Sequence, residues 1–322
     1  MSPTPQDIQT AAKRLAAFLR PTPVVRCETF DAWLKLENLQ ATGSYKVRGA
    51  LNALLLAAEE GDRRPVIAAS AGNHAQGVAW AAKRLGLVGY LVIPKAAPAT
   101  KRAGIERLGG RVIAFGDCFE DAECHARDLS RTNDWRFIHA FEDSAVIAGQ
   151  ATVGVEAASL APDVVVVPVG GGGLASGVGL ALMPLRARVI GVQIRGVQGM
   201  MDALAGATDF PEPAATIADG VKVRTPGLLT RQICARVLDD IIVVTEDEVR
   251  EAMRLLALRS RIVAEGAGAI AAAGLQRVSG DRRLAVVSGG NVDAAVLRSV
   301  LAGAPMNPEV SPQGPSGPTR RI

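Results

Sequence analysis

Lys46, in Gly43-Ser44-Tyr45-Lys46-Val47-Arg48-Gly49, is the residue whose chemistry is most specific. A lysine amine attacks a carbonyl only when neutral. Desolvation lowers its pKa and makes Schiff-base formation possible. Most lysines are solvated surface groups, so the surrounding sequence has to supply the argument. Gly170, Gly171, Gly172 and Gly173 follow the apolar run Val164 to Val169 and precede Leu174. Backbone N–H groups in such a loop, together with a helix N-terminus, form an anion cradle suited to phosphate. Four glycines are a costly way to build a plain turn. No Gly-Lys-Ser/Thr follows, so this is not a P-loop, and the dinucleotide fingerprint is met only trivially.

Two more turns have the same character. Ser70-Ala71-Gly72-Asn73-His74 stands after the apolar run Val66 to Ala69, and its N–H groups suit a carboxylate. Asn73 adds a side-chain amide that could reach a ring oxygen. Ser288-Gly289-Gly290-Asn291 follows Leu284 to Val287. Ligands of open α/β sheets bind at the carboxyl ends of strands, so three such turns point to one cleft.

The elements that must carry these turns are legible. Thr4-Pro5-Gln6-Asp7 opens a helix with Thr as N-cap and Pro at N1; Ile8, Ala12, Leu15 and Leu19 mark one face, and Pro21 stops it. Strands are predicted at Trp33–Glu37, Val66–Ala69, Tyr90–Ile93, Arg111–Ala114, Arg136–Ile138, Val164–Val167, Val189–Gln193, Ile241–Val244 and Leu284–Val287. Several are apolar throughout, as strands covered on both faces are. A helix is predicted at Ala75–Leu85, and Thr245-Glu246-Asp247-Glu248 reads as a capping box. The alternation implies an α/β fold with helices on both faces of mostly parallel sheets.

Composition narrows the function. The 322 residues are 48% apolar and 21% charged, ample for a core. The 36 basic and 32 acidic residues are interleaved, and aromatics are 4%, which argues against a nucleic-acid partner. Val164 to Leu185 is uncharged over 22 residues, long enough to span a bilayer. Its six Gly and two Pro instead read as strand, glycine loop and helix. Cys27, Cys118, Cys124 and Cys234 have no CxxC spacing, and residues 1–21 lack the apolar core of a signal peptide, so a cytoplasmic location is expected. The Pro-, Gly- and Ser-rich stretch 303–322 reads as a disordered tail.

Leu36-Glu-Asn-Leu-Gln-Ala-Thr-Gly-Ser-Tyr-Lys-Val-Arg-Gly-Ala50 resembles the cofactor-lysine motif of the serine/threonine dehydratases, fold type II pyridoxal-phosphate enzymes. Ser70–Gly77, Gly170–Gly173, Ile217-Ala218-Asp219-Gly220, Ala264-Glu265-Gly266-Ala267-Gly268 and Ser288–Asn291 resemble further family motifs, in the family's order. The resemblance spans Thr22 to Leu301. It implies two open twisted sheets, with a large cofactor-binding domain from residues 1–64 and 142–302 and a small domain at 65–141.

The resemblance also implies roles. Lys46 would hold pyridoxal 5'-phosphate as a Schiff base and act as the general base. Gly170, Gly171, Gly172 and Gly173 would bind its phosphate, Asn73 would meet the ring 3-oxygen, and Ser288 would face the pyridine nitrogen. Glu265 would lie near the ring. Ser70, Ala71, Gly72, Asn73 and His74 would hold the substrate carboxylate. The implied reaction eliminates the β-hydroxyl of an L-β-hydroxy amino acid, giving a 2-oxo acid and ammonia. The implied assembly is a homodimer or homotetramer.

Racemase relatives carry a serine at the position of Ala71, whose side chain has no proton to give. They also carry carboxylate metal ligands after a strand. The matching stretch Gly191–Met200 has neither carboxylate, so no metal is expected. The chain resembles the catabolic threonine dehydratases, and the regulatory domain and isoleucine feedback of the biosynthetic enzymes are not expected. Departures bear on substrate. The stretch between Thr22 and Trp33 is shorter than in relatives, Tyr45 replaces a usual Phe, and Ala140 stands where Pro is common. Threonine, serine, phenylserine and hydroxyaspartate are therefore all carried forward. So are a serine racemase, another β-elimination or replacement enzyme, and a non-catalytic phosphate-ligand binding protein.

Overall fold

A computed structural model describes residues 1–303. The stretch 304–322, most of the expected tail, lies outside the described residues. The elements in chain order are α1 (Pro5–Ala16), β1 (Val24–Cys27), β2 (Ala32–Leu36), α2 (Lys46–Glu59), β3 (Val66–Ala69), α3 (Asn73–Arg84), β4 (Gly89–Ile93), α4 (Ala99–Arg107), β5 (Arg111–Ala114), α5 (Phe119–Asn133) and β6 (Arg136–Phe137). They continue with α6 (Ser144–Ala157), β7 (Val164–Pro168), α7 (Gly173–Leu182), β8 (Arg188–Ile194), α8 (Gly199–Leu204), α9 (Leu228–Val237), β9 (Asp240–Val244), α10 (Glu246–Ser260), α11 (Gly266–Gly274), β10 (Arg283–Val287) and α12 (Ala294–Leu301).

Two sheets result. One has six strands in the order β1-β2-β10-β7-β8-β9, the other four in the order β5-β4-β3-β6. Every pairing is parallel except β1 with β2. In β7, Val164 and Val166 enter one core while Val165 and Val167 enter another on the opposite face. A strand buried on both sides has no polar positions to alternate, which is why it reads as a continuous apolar run. The four-stranded sheet is covered likewise, with Val66 and Ala68 facing α2 and α3, and Ile67 and Ala69 facing α5.

Both predicted caps form. The Thr4 and Asp7 side chains bond each other's backbone N–H, as do Thr245 and Glu248. The helix from Pro5 nevertheless closes at Ala16, ahead of Pro21, and Leu19 is buried outside it. α3 begins at Asn73, two residues before its predicted start, because the turn residues themselves supply its first turn. β1 is an addition to the predicted strands. Its four residues form an edge strand, joined to β2 by a tight turn with Asp31 at φ 48°.

The long uncharged stretch resolves into β7, the glycine loop and α7. Among the described residues no helix is long and apolar enough to cross a membrane.

Candidate active site

Lys46 is the first residue of α2, and its loop is zipped to the turn after β10. The Tyr45 N–H donates to the Ser288 carbonyl at 3.1 Å, and the Gly290 N–H donates to the Gly43 carbonyl at 2.9 Å. The Lys46 ammonium Nζ donates to the Ala140 carbonyl at 2.9 Å. No carboxylate among the described residues pairs with it. Burial without a counter-charge pulls its pKa down to about 8.

The residues after Ile138 tie three parts of the site together. His74 Nε2 lies 2.9 Å from the Ile138 carbonyl, which assigns the ring proton to that nitrogen. Among the described residues its Nδ1 has no partner, and burial holds the ring neutral, with its pKa down to about 3. Ala140 holds Lys46. Phe141 walls the glycine loop, where a Cβ on Gly171 would lie 2.4 Å from the Phe141 ring.

The glycine loop is a cradle. Gly172 has φ +88° and forms the N-cap of α7. The first N–H of the helix to find a backbone acceptor is that of Ser176, on Gly172 at 2.8 Å. Among the described residues, the N–H groups of Gly170 through Ala175 have no protein acceptor. Helix N-termini with free N–H groups attract anions. Behind the loop stand Met200, Thr230 and Cys234, all buried. The Glu142 carboxylate accepts from Leu229 N at 2.6 Å, holding the start of α9 in place there. Sequence periodicity carried no signal for these supports, because they act through packing between distant elements.

The turn after β3 is a second N-terminus, at α3. Ser70 Oγ accepts from the Gly72 N–H at 3.1 Å, which stiffens the turn but removes that donor. The N–H groups of Ala71, Asn73 and His74 have no protein acceptor among the described residues. Asn73 Nδ2 donates to Glu265 Oε1 at 2.6 Å, and Asn73 Oδ1 accepts from Asn291 Nδ2 at 2.8 Å. Ser288 is buried and donates to the Ala267 carbonyl at 3.3 Å. Lys46, Asn73, Glu265 and Ser288 thus meet where α2, α3, α11 and β10 end or begin. The Ile217–Gly220 motif joins them through Asp219, whose charge acts on Glu265.

The family model for pyridoxal-phosphate-dependent enzymes matches residues 15–289. The chain belongs to this family. The enzyme is 39% identical to an L-threonine ammonia-lyase of Thermotoga maritima over 312 residues, covering 92% of this chain and 78% of that protein. It is similar in structure to a threonine deaminase from T.th., at TM-score 0.85 and 35% identity, covering 90% of this chain and 99% of the other. A pyridoxal 5'-phosphate-dependent aspartate racemase matches at TM-score 0.87 and 31% identity, covering 92% and 98%. The enzyme is therefore a fold type II pyridoxal-phosphate enzyme of the serine/threonine dehydratase family, whose reaction class is the ammonia-lyases.

The residues present fit that cofactor. The free N–H groups of the cradle suit a phosphate, and a buried lysine without a counter-charge suits an aldehyde. Beyond these, Gln193 is spent within the protein. It donates to the Val169 carbonyl at 3.2 Å and accepts from Met201 N at 2.9 Å. Among the described residues no three His, Cys, Asp or Glu side chains gather to hold a metal ion.

Proposed function

We propose that this enzyme eliminates the β-hydroxyl of L-threonine or L-serine, giving a 2-oxo acid and ammonia. The observation that carries the reading is Lys46. Its amine is buried with no counter-charge among the described residues, is oriented by the Ala140 carbonyl, and stands at a helix start joined to the Ser288 turn.

Pyridoxal phosphate, when bound, supplies an electron-withdrawing ring that acidifies the Cα–H of an amino acid. The protein supplies the rest. Lys46 would hold the group, and its free Nζ would be the general base that accepts the Cα proton. The N–H groups of Gly170, Gly171, Gly172 and Gly173 hold the phosphate. Asn73 would offer its amide to the ring 3-oxygen. Ser288 would face the ring nitrogen with a neutral hydroxyl, which lacks the negative charge that would hold that nitrogen protonated. Free N–H groups within Ser70, Ala71, Gly72, Asn73 and His74 hold the substrate carboxylate. Glu265 adjoins Asn73 at the ring's edge.

Racemisation is the second reading, favoured by the likeness to an aspartate racemase. Ala71 weighs against it, because its methyl group cannot protonate the opposite face of Cα. Tyr45 and Ala140, both beside Lys46, make phenylserine and hydroxyaspartate worth including as substrates.

Sheet membership supports a large unit of residues 1–64 and 142–302 around the six strands and a small unit of 65–141 around the four. α2 spans both, since Val47, Ala50 and Leu51 pack into the core of the four-stranded sheet. Four free cysteines suit a cytoplasmic location, and the enzyme is read as a homodimer or homotetramer.

The test is the visible spectrum of the protein loaded with pyridoxal phosphate, before and after L-threonine, L-serine, L-threo-phenylserine and 3-hydroxyaspartate. A band that shifts with threonine or serine, together with ammonia release, is expected. Recovery of the D-enantiomer without ammonia would replace this reading with the racemase.

A further inference from the structure

The Asn73 amide is gripped at both ends. Nδ2 donates to Glu265 Oε1 at 2.6 Å, while Oδ1 accepts from Asn291 Nδ2 at 2.8 Å. Asn291 Nδ2 also donates to the Thr42 carbonyl at 2.8 Å, which fixes that partner in turn. An amide nitrogen carries two hydrogens. Glu265 takes one from Asn73 and leaves the other for an acceptor beside it. The arrangement depends on Gly289, where a Cβ would come within 2.2 Å of Glu265 Oε1 and 3.2 Å of Asn73 Nδ2. The Glu265 main chain is tied to the same turn, its N–H donating to the Gly289 carbonyl at 3.1 Å.

We propose that Glu265 is a positioning residue whose carboxylate fixes the Asn73 amide with Nδ2 toward the cofactor's 3-oxygen, and that protonation of Glu265 releases it. A carboxylate only accepts, so it selects the nitrogen end of the amide. A carboxylic acid accepts more weakly and brings an O–H that competes for the Asn73 oxygen. If the amide turned over, Nδ2 of Asn73 would face Nδ2 of Asn291, two donors together. The released state therefore disturbs the whole chain from Thr42 to Glu265.

The charges around Glu265 put this change in the working range. Burial raises its pKa first, and the Asp219 carboxylate raises it further, to about 7. The bond from Asn73 and the Lys101 ammonium, itself paired with Asp219, oppose the rise. Glu265 acts in turn on Tyr45, whose phenol is pushed up by burial and by this carboxylate. Lys46 stands next along α2, and the Gly289–Asn291 turn carries no charge.

The inference rests on the reading that Asn73 faces the cofactor ring, and two experiments separate them. In the first, the side-chain amide resonances of Asn73 in the full-length protein are followed by NMR across roughly pH 5.5 to 9. They are expected to shift with a midpoint near 7. Resonances that do not move overturn the Glu265–Asn73 coupling, whatever the cofactor does. In the second, the visible band of the loaded enzyme is titrated over the same range. The wild type is expected to show a transition with that midpoint, and both Glu265→Gln and Asn73→Ala to lack it while still absorbing in the visible. A transition retained by Glu265→Gln overturns the proposal. One retained by Asn73→Ala alone shows that Asn73 does not face the ring, which overturns the route through it.

Discussion

The Lys46 Nζ donates to the Ala140 carbonyl at 2.9 Å, across 94 residues of chain. That single bond joins the start of α2 to the segment that also meets His74 at Ile138 and walls the glycine loop at Phe141. A backbone carbonyl can orient the amine without neutralising it. A carboxylate in its place would hold the lysine protonated and unreactive.

Lys46→Ala is expected to remove the visible band of the loaded protein and to cut ammonia release by at least about 10³-fold, the scale of a lost general base. Spectroscopy and an ammonia assay on the same sample check it. Turnover at the wild-type rate would exclude Lys46 as the reactive amine.

The pH dependence of cofactor capture follows from the same residue. A lysine held at about 8 is mostly charged below that pH and mostly neutral above it. The rate at which apoprotein condenses with pyridoxal phosphate should therefore rise as pH passes 8 and level off well before the ordinary lysine range near 10.5. Stopped-flow absorbance measures this, and a rate still climbing at that higher value would show that Lys46 is not perturbed.

Gly171→Ala forces a Cβ to within 2.4 Å of the Phe141 ring. Overpacking of this kind costs about 1–3 kcal/mol. If the loop yields rather than the core, the expected result is roughly 10- to 100-fold weaker cofactor binding with thermal stability nearly unchanged. Equilibrium titration and a melting curve separate the two.

Below the site, Arg48 is buried between Glu37 and Glu156, with Lys35 completing a neutral cluster. Its guanidinium bonds Glu37 through Nε at 2.7 Å and Nη2 at 2.8 Å. Arg48→Leu leaves the two carboxylates to one lysine and should cost about 3–5 kcal/mol. Adding Glu37→Leu restores the balance, since Lys35 still pairs with Glu156, and should recover part of the loss. Urea unfolding of the single and double variants tests this.

Ala71→Ser returns a hydroxyl to the turn that opens α3. It is expected to add measurable racemisation of serine to a continuing elimination reaction. Chiral chromatography of unreacted substrate reads the outcome, and recovered serine that stays entirely L would remove Ala71 as the determinant.

Much of this is legible in the amino-acid sequence. Val164–Val167 could be read as a strand because burial on both faces leaves nothing polar to alternate, and the four glycines after it could be read as a cradle because few other uses need them. The strand ends moved by a residue or so, since apolar runs mark burial rather than ladder hydrogen bonds. β1 leaves no such mark in the sequence, because Val24–Cys27 is a short edge strand whose pairing comes from a turn at Asp31, a non-glycine residue at positive φ. The supporting roles of Phe141, Met200, Thr230 and Cys234 are not legible there, because packing partners far apart in sequence leave no local pattern.

The amino-acid sequence by itself determined the chemistry available: one lysine in a family motif, a glycine loop, two polar turns at strand ends, and an alanine where a proton-donating serine would stand. The glycine loop and the polar turns follow from residue type and spacing, and the significance of Lys46 and Ala71 follows from the family resemblance; both survive without a structure. Only the tertiary structure decided that Lys46 has no counter-charge among the described residues, that Gly72 spends its N–H on Ser70, and that Glu265 and Asn291 grip the two ends of Asn73. Such facts depend on which groups share a few ångströms of low-dielectric interior. Chain order does not encode that distance, and the strength and sign of every electrostatic effect at the site depend on it.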